Sequence, residues 1–299
     1  MKAETKDHLE LHFLVIIWSF TGILGLVIKV SPQEVVFYRT LISVALLSII
    51  LLVIRQKLAI SGAHLIRLLA GGFLFAGHWI LFFASARVSN ISICLVGMAT
   101  MALWASIIEP LVEGRKVSTL NVFLSMIAMV GISIIYHFEF DSAMGLMLAL
   151  LSALMGAIGM ILNKNLVKSM NPFKIMFYEM GSASGLSLIF IVIFSKSMTG
   201  SVQIQFPDEF DVLYLFILAG LCTVYAYSMS IKLMKRMTAF TVSFAVNLEP
   251  VYGILLALLI FGEKEYMDIG FYFGAVLILM SVFSYPYLSK MKRVSFFKN

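Results

Sequence analysis

The chain has 299 residues, 61% of them hydrophobic and only 13% charged, with a formal net charge of +6. Soluble domains carry about 25% charged residues, so this composition cannot clothe a globular surface in polar groups and a soluble protein is excluded. The two cysteines, Cys94 and Cys222, both fall inside apolar runs, where a small core residue is expected rather than a disulfide.

A helix that crosses a bilayer needs about 20 mainly apolar residues. In chain order such runs lie at about Leu11 to Val30, Glu34 to Ile54, His64 to Ala86, Ile91 to Val112 and Ser118 to Tyr136. A second set follows at about Ser142 to Leu162, Pro172 to Phe194, Val212 to Ile231, Ala239 to Gly262 and Met267 to Tyr287. The runs show no period-two alternation, so they read as helices and not as barrel strands. The expected fold is an all-α membrane protein of about ten transmembrane helices. Lys2 and Lys6 precede the first run, but Glu4, Asp7 and Glu10 dilute that basic region and no small-residue cleavage site follows. It reads as a retained helix, not a signal peptide.

The basic residues divide unevenly between the two sides. With the N-terminus placed inside, Lys29, Arg87, Lys196 and Lys264 are the only ones in outer loops, and Arg39 is inside the membrane. All others fall in inner segments, as the positive-inside rule requires, so both termini are expected in the cytoplasm. The positive charge therefore reports topology and contact with anionic lipid, not a nucleic-acid partner.

A repeat runs through this pattern. A shift of 140 residues sets "SPQEVVFYRT" (Ser31 to Thr40) against "NPFKIMFYEM" (Asn171 to Met180), pairing Pro32 with Pro172, Phe37 with Phe177 and Tyr38 with Tyr178, but Arg39 with Glu179. Five spans per half is an odd number, so residues 1–140 and 141–299 are expected to form two five-helix repeats of inverted orientation, a transporter signature. In the fourth and ninth spans the Glu-Pro pairs (Glu109-Pro110, Glu249-Pro250) are 140 apart while Glu113 and Glu263 are 150 apart. The residue register there stays open.

"WSFTGILGLVIKVSPQEVVFYR" (Trp18 to Arg39) and "LEPVYGILLALLIFGEKEYMDIGFYFGAVLILMSVF" (Leu248 to Phe283) together resemble the EamA-type members of the drug/metabolite transporter superfamily. The first resembles the family's first-helix Trp followed by Pro and Arg at the second helix; the second is similar to its Glu-Pro, Gly-Glu turn and glycine-containing last helix. "EGRK" (Glu113 to Lys116) inverts the Gly-Glu order, and the first half matches less well. The resemblance implies a ten-helix bundle with a central cavity, exporting small metabolites such as amino acids across a bacterial inner membrane.

Polar groups inside the spans carry the functional candidates. Arg39 is about five residues inside its span; it reads either as a structural group, an interfacial side chain reaching back to water or a cap on helix carbonyls, or as an anchor for a carboxylate or phosphate, which its planar fork matches. Glu179, about seven residues in, reads as a hydrogen-bonded structural carboxyl or as a proton carrier. Glu249 sits near the midplane, and Pro250 beside it should kink the helix by freeing the carbonyl of Val246. Asn247 is about 200° around the helix from Glu249, so one cavity meets both only if the helix is distorted. Glu109 reads as a solvated carboxylate at a helix end. His78 reads as a buried ring bonded to a carbonyl or as part of the pathway. Trp18, which gains from the family pattern, and Trp104 read as packing or as ring contacts to substrate. Tyr225, Tyr227 and Ser228 supply hydroxyls with nothing to choose among them. The substrate-binding candidates are Trp18, Arg39, His78, Tyr178, Asn247 and Glu249; the proton-coupling candidates are Glu249 and Glu179.

Gly181-x-x-x-Gly185 and Gly270-x-x-x-Gly274 let helices approach closely and leave a homodimer open. No P-loop, HExxH, GxSxG or Cys/His metal cluster occurs in the sequence, so neither a cofactor nor a metal is expected and familiar ATPase and hydrolase chemistry loses its usual supports. The expected function is a secondary transporter of a small metabolite, most readily an amino acid or related compound, and an exporter by resemblance; coupling to protons through Glu249 or Glu179 and facilitated diffusion with no coupling ion both stay open. A membrane enzyme acting on a lipid-linked substrate and a non-transporting scaffold are the competing readings.

Overall fold

The computed structural model describes residues 3–117, 119–138, 140–199, 201–238, 242, 245, 246, 248–262 and 266–296. Among them the chain is helical: α1 (Ala3–Val27), α2 (Pro32–Val53), α3 (Gly62–Val88), α4 (Ile91–Met98), α5 (Met101–Val112), α6 (Thr119–Phe138), α7 (Ala143–Leu166), α8 (Pro172–Thr199), α9 (Glu209–Ile217), α10 (Ala226–Leu233), α11 (Glu249–Phe261) and α12 (Ile269–Phe296). Seven helical stretches are long and apolar enough to cross a membrane, and Val122–Phe138, Val251–Phe261 and Ile269–Ser281 are shorter apolar helices.

Local chemistry sets the helix starts. Pro32 and Pro172 occupy first helical positions, where the missing N–H costs nothing. Asn90 and Asp208 accept from the N–H of Ile93 (2.9 Å) and Asp211 (2.8 Å) at the starts of α4 and α9. Gly114 and Gly262, with φ of 69° and 58°, follow α5 and α11, a backbone that glycine adopts without a Cβ clash.

Two of the long stretches are not uniform α-helix. Ile91–Val112 breaks at Ala99 and Thr100, between α4 and α5, and Glu209–Leu233 passes from α9 into a π-helical stretch, Leu218–Tyr225, before α10. The ninth span also differs from expectation. α11 begins at Glu249, so Pro250 lies in its first turn and needs no kink there; the preceding Leu248 N–H bonds the Ala245 carbonyl at 3.0 Å. Asn247 lies outside the described residues.

Helix α3 packs against α7 and α8, α2 against α8 and the π-helical stretch, and α4 against α7 and α11. α6 and α12 form a pair at the periphery, where Gly131 and Gly274 bring backbones together: a Cβ on either would lie 2.6–2.7 Å from the other's carbonyl oxygen. Gly270 likewise meets Phe138, so the Gly270/Gly274 face is spent within the chain, whereas Gly181 and Gly185 face open space.

Candidate functional site

A cavity of about 80 Å³ lies between α1, α2, α3, α5, α7, the π-helical stretch and α11. One water needs about 10–15 Å³ by the same measure, so it has room for several waters or the polar end of a small molecule. Trp18, Arg39, His78 and Glu249 line it, together with Trp79 and Tyr227.

Arg39 is its dominant charge. The side chain is 1% exposed, and its guanidinium lies 4.2 Å from the Trp79 ring centroid, with Phe83 at 5.8 Å. Nε and Nη2 both donate to Thr223 Oγ1, at 3.1 and 2.6 Å. The Thr223 hydroxyl donates in turn to the carbonyl of Leu218, five residues earlier, at 2.8 Å, a step that follows the π-helical register. Nη1 has no partner within the described residues, and no ion pair joins Arg39 to a carboxylate there. An arginine at mid-bilayer costs about 2.5–3.5 kcal/mol on insertion scales. A buried cation–π contact returns about 2 kcal/mol and each hydrogen bond to a charged group about 1.5–3. Among the described residues Arg39 is therefore held without a counter-ion, with one edge unsatisfied. Of its two sequence readings, the interfacial one does not describe this burial.

Glu249, 8% exposed, faces the same cavity from the first turn of α11, where the positive end of the helix dipole favours a negative charge. Trp18 Nε1 donates to the carbonyl of Cys222 in the π-helical stretch at 3.1 Å. His78 is bound through Nδ1 to Ser152, 3.0 Å from its carbonyl and 2.9 Å from its hydroxyl, and the Ser152 hydroxyl donates to the His78 carbonyl at 2.7 Å. The ring is thus bonded to a carbonyl and also stands on the cavity wall.

Glu179 is elsewhere. It is fully buried between α8 and α3; Oε2 accepts from Asn163 Nδ2 and from the Tyr227 hydroxyl, each at 3.2 Å, and Asn163 and Tyr227 are 2.5 Å apart. Oε1 has no partner within the described residues and points at Gly71, where a Cβ would stand 2.2 Å away. Among the described residues Tyr227 joins this cluster to the cavity: its ring packs on Phe75 (4.7 Å) and Trp79 (6.2 Å).

Tyr178 lies away from the cavity. Its hydroxyl donates to the carbonyl of Leu58 at 2.7 Å, in the α2–α3 connection, while Tyr38 donates to the carbonyl of Gln205 at 2.9 Å, in the α8–α9 connection. Each half's tyrosine ties down the other half's loop, so Tyr178 is a tie between halves and not a cavity group. Glu109 also departs from its reading. It is buried and paired with Lys164 of α7, which reaches Glu113 at 2.5 Å as well.

Polar contacts tie the helices and their connections together at both ends of the bundle. At one end Lys29 pairs with Asp208 at 2.6 Å, and the Gln205 N–H donates to Glu34 Oε1 at 2.6 Å. The Lys29 hydrogen bond is the main reason that Asp208 titrates below the ordinary aspartate value. At the other, lysine-rich end, Lys174 donates to the Ala59 carbonyl at 2.6 Å, Arg236 pairs with Asp7 at 2.7 Å, and Lys164, first among the influences on it, holds Glu113 below the usual carboxylate range.

Thr223, Trp79, Asn163 and the choice of Tyr227 were not legible in the sequence; a threonine or asparagine within an apolar run carries no signal of its own. Among the described residues no group of three or more His, Cys, Asp or Glu side chains is placed to hold a metal.

No curated protein matches the chain. A solved crystal structure superposes on it with a TM-score of 0.66 at 13% identity, covering 93% of this chain and 96% of the other; at that identity the likeness speaks to the fold. The profile of the EamA-like transporter family matches residues 11–137 and again residues 143–285. With both matches together spanning nearly the whole of a helical, membrane-crossing chain, this protein belongs to the EamA-like transporter family of the drug/metabolite transporter superfamily.

Proposed function

We propose that the chain is a secondary transporter of a small carboxylate-bearing metabolite, an amino acid or a close relative, working by alternating access between two inverted five-helix halves. The observation that carries this reading is Arg39: a buried guanidinium on the cavity wall whose Nη1 has no partner among the described residues and whose Nε and Nη2 meet a neutral hydroxyl. A substrate carboxylate supplies the missing charge, and Glu249 across the cavity suits an ammonium group or a proton. Trp18, Trp79 and His78 form the walls, and Asn247 would add an amide beside Glu249.

The reciprocal tyrosine ties and the double match to one family profile support a pseudo-two-fold relation between residues 1–140 and 141–299. The ten-helix count takes the seven long stretches with the three shorter ones. Alternating access then means breaking the Lys29 end and the lysine-rich end in turn. The distribution of lysine and arginine supports cytoplasmic placement of both termini, while a bacterial inner membrane and export rest on the family's usual place and direction. Glu249 is the first candidate for proton coupling and Glu179 the second. A homodimer would have to use a face other than Gly270/Gly274.

The test is counterflow of radiolabelled amino acids in proteoliposomes, with and without an imposed pH gradient. Flux that rises with the gradient and loses that dependence in Glu249→Gln supports the reading. Amino-acid flux that is unchanged in Arg39→Ala would remove its basis.

A further inference from the structure

A second concavity lies on the outside of the bundle, toward the lysine-rich end. It has a volume of about 430 Å³ and runs between α2, the start of α8 and the π-helical stretch with α10. Its wall is a stripe on one helical face, Gly220, Val224, Ser228 and Lys232, with Ile50 and Phe173 opposite. The lining is almost wholly apolar until its mouth, where Lys232 and Lys235 stand exposed beside Asn171. Lys232 also borders a neighbouring cleft with Asp7 and Glu10, but Asp7 is taken by Arg236 at 2.7 Å. Within the described residues no ion pair reaches either Lys232 or Lys235.

We infer that this groove is a binding site for one anionic phospholipid, its acyl chain on the Gly220 to Ser228 stripe and its phosphate on Lys232 and Lys235. Three features select that occupant over a soluble anion or a polar metabolite. The slot is apolar for most of its length, so it rewards hydrocarbon. Gly220 lies about 18 Å of helix rise from Lys232, close to the roughly 15 Å depth of one leaflet's hydrocarbon. The charge sits only at the mouth, where a headgroup would be, and its sign selects anionic over zwitterionic lipid. Gly220 keeps the inner end of the slot open: a Cβ there would meet only Leu46, at 3.7 Å.

The site shares a wall with the cavity. Gly220 and Val224 face the groove from the same π-helical stretch whose Cys222 lines the cavity and whose Thr223 holds Arg39. A lipid seated in the groove braces the stretch that positions the guanidinium. The site itself stands on its own geometry and does not require the transport reading.

The experiment is native mass spectrometry of the purified full-length chain in detergent, titrated with dioleoyl-phosphatidylglycerol or dioleoyl-phosphatidylcholine. The expected result is one phosphatidylglycerol retained with roughly tenfold to thirtyfold preference over phosphatidylcholine, the worth of two lysines at a membrane surface. Lys232→Gln with Lys235→Gln, both exposed and safe for folding, should abolish the preference while leaving phosphatidylcholine binding unchanged. Gly220→Phe, which fills the slot, should reduce retention of both lipids, with its melting temperature checked alongside. Equal retention of the two lipids by the wild type, or a preference that survives the double substitution, overturns the proposal. Displacement of phosphatidylglycerol by millimolar inorganic phosphate also overturns it, by making the lysines a site for free anions. None of these readouts involves flux, so they are independent of the transport assay.

Discussion

Residues 38–39 and 178–179 occupy the same register in the two halves and have parted company at one position only. Tyr38 and Tyr178 each donate to a loop carbonyl of the opposite half, a shared structural task that keeps the same side chain. Arg39, next along, turns onto an open cavity and stacks on Trp79. Glu179 is instead sealed against α3, where Gly71 leaves just enough room for its carboxylate. Both side chains are buried with one atom unpartnered among the described residues, yet the cavity reaches the first directly and the second through Tyr227. The two matching stretches thus share the side chain that makes a loop contact and differ in the one that faces the cavity.

The sharpest way to break that comparison is to remove each charge. Arg39→Ala should cut carboxylate flux about a hundredfold, the worth of two charge-assisted hydrogen bonds, while Glu179→Gln should leave substrate affinity within about twofold. Counterflow in proteoliposomes reads both, and equal losses would merge the two sites into one. Next comes packing. Gly71→Ala drives a methyl into Glu179 and should cost about 1–3 kcal/mol, whereas Gly185→Ala meets nothing and should be neutral or stabilising by up to about 1 kcal/mol; thermal unfolding in detergent separates them. The tyrosines should then behave as equals, Tyr38→Phe and Tyr178→Phe each costing about 0.5–1.5 kcal/mol. In sided vesicles the first should speed alkylation of Cys222 from the Lys29 end and the second from the lysine-rich end. The smallest effect belongs to Asp208. Its folded pKa is below its ordinary 3.8 because of Lys29, so its contribution is present above that value and fades as pH falls through the lower folded one. Asp208→Asn should flatten melting temperature against pH only on that acid limb.

Much of the architecture was legible because hydrocarbon enforces it. Apolar runs of bilayer length can be nothing but helices or barrel strands, and seven of the runs read from composition correspond to helical stretches long enough to cross a membrane, while the other three hold shorter apolar helices. The breaks were harder. Pro250 was read as a kink in a continuous helix, yet a proline in the first turn is as ordinary as Pro32 or Pro172, and the helix restarts beside it. The π-helical stretch left no trace in the sequence, since its apolar residues suit either register. That hid Thr223, whose place opposite Arg39 depends on it. Glu109 misled for another reason: its partner Lys164 comes from a distant helix, and distance along the chain conceals such pairs. Arg39, Glu179 and Glu249 stood out from the start because a charge in an oily run is rare and costly.

The stacking of Arg39 on Trp79 has a practical consequence. An indole with a cation 4.2 Å from its ring centroid has an emission sensitive to where that cation sits, and Trp18 watches the same cavity. With three tryptophans in the whole chain, replacing Trp104 by Phe leaves the cavity pair as the main emitters. The protein then carries its own optical probe of occupancy, and unlabelled compounds can be screened by fluorescence before any flux assay exists for them.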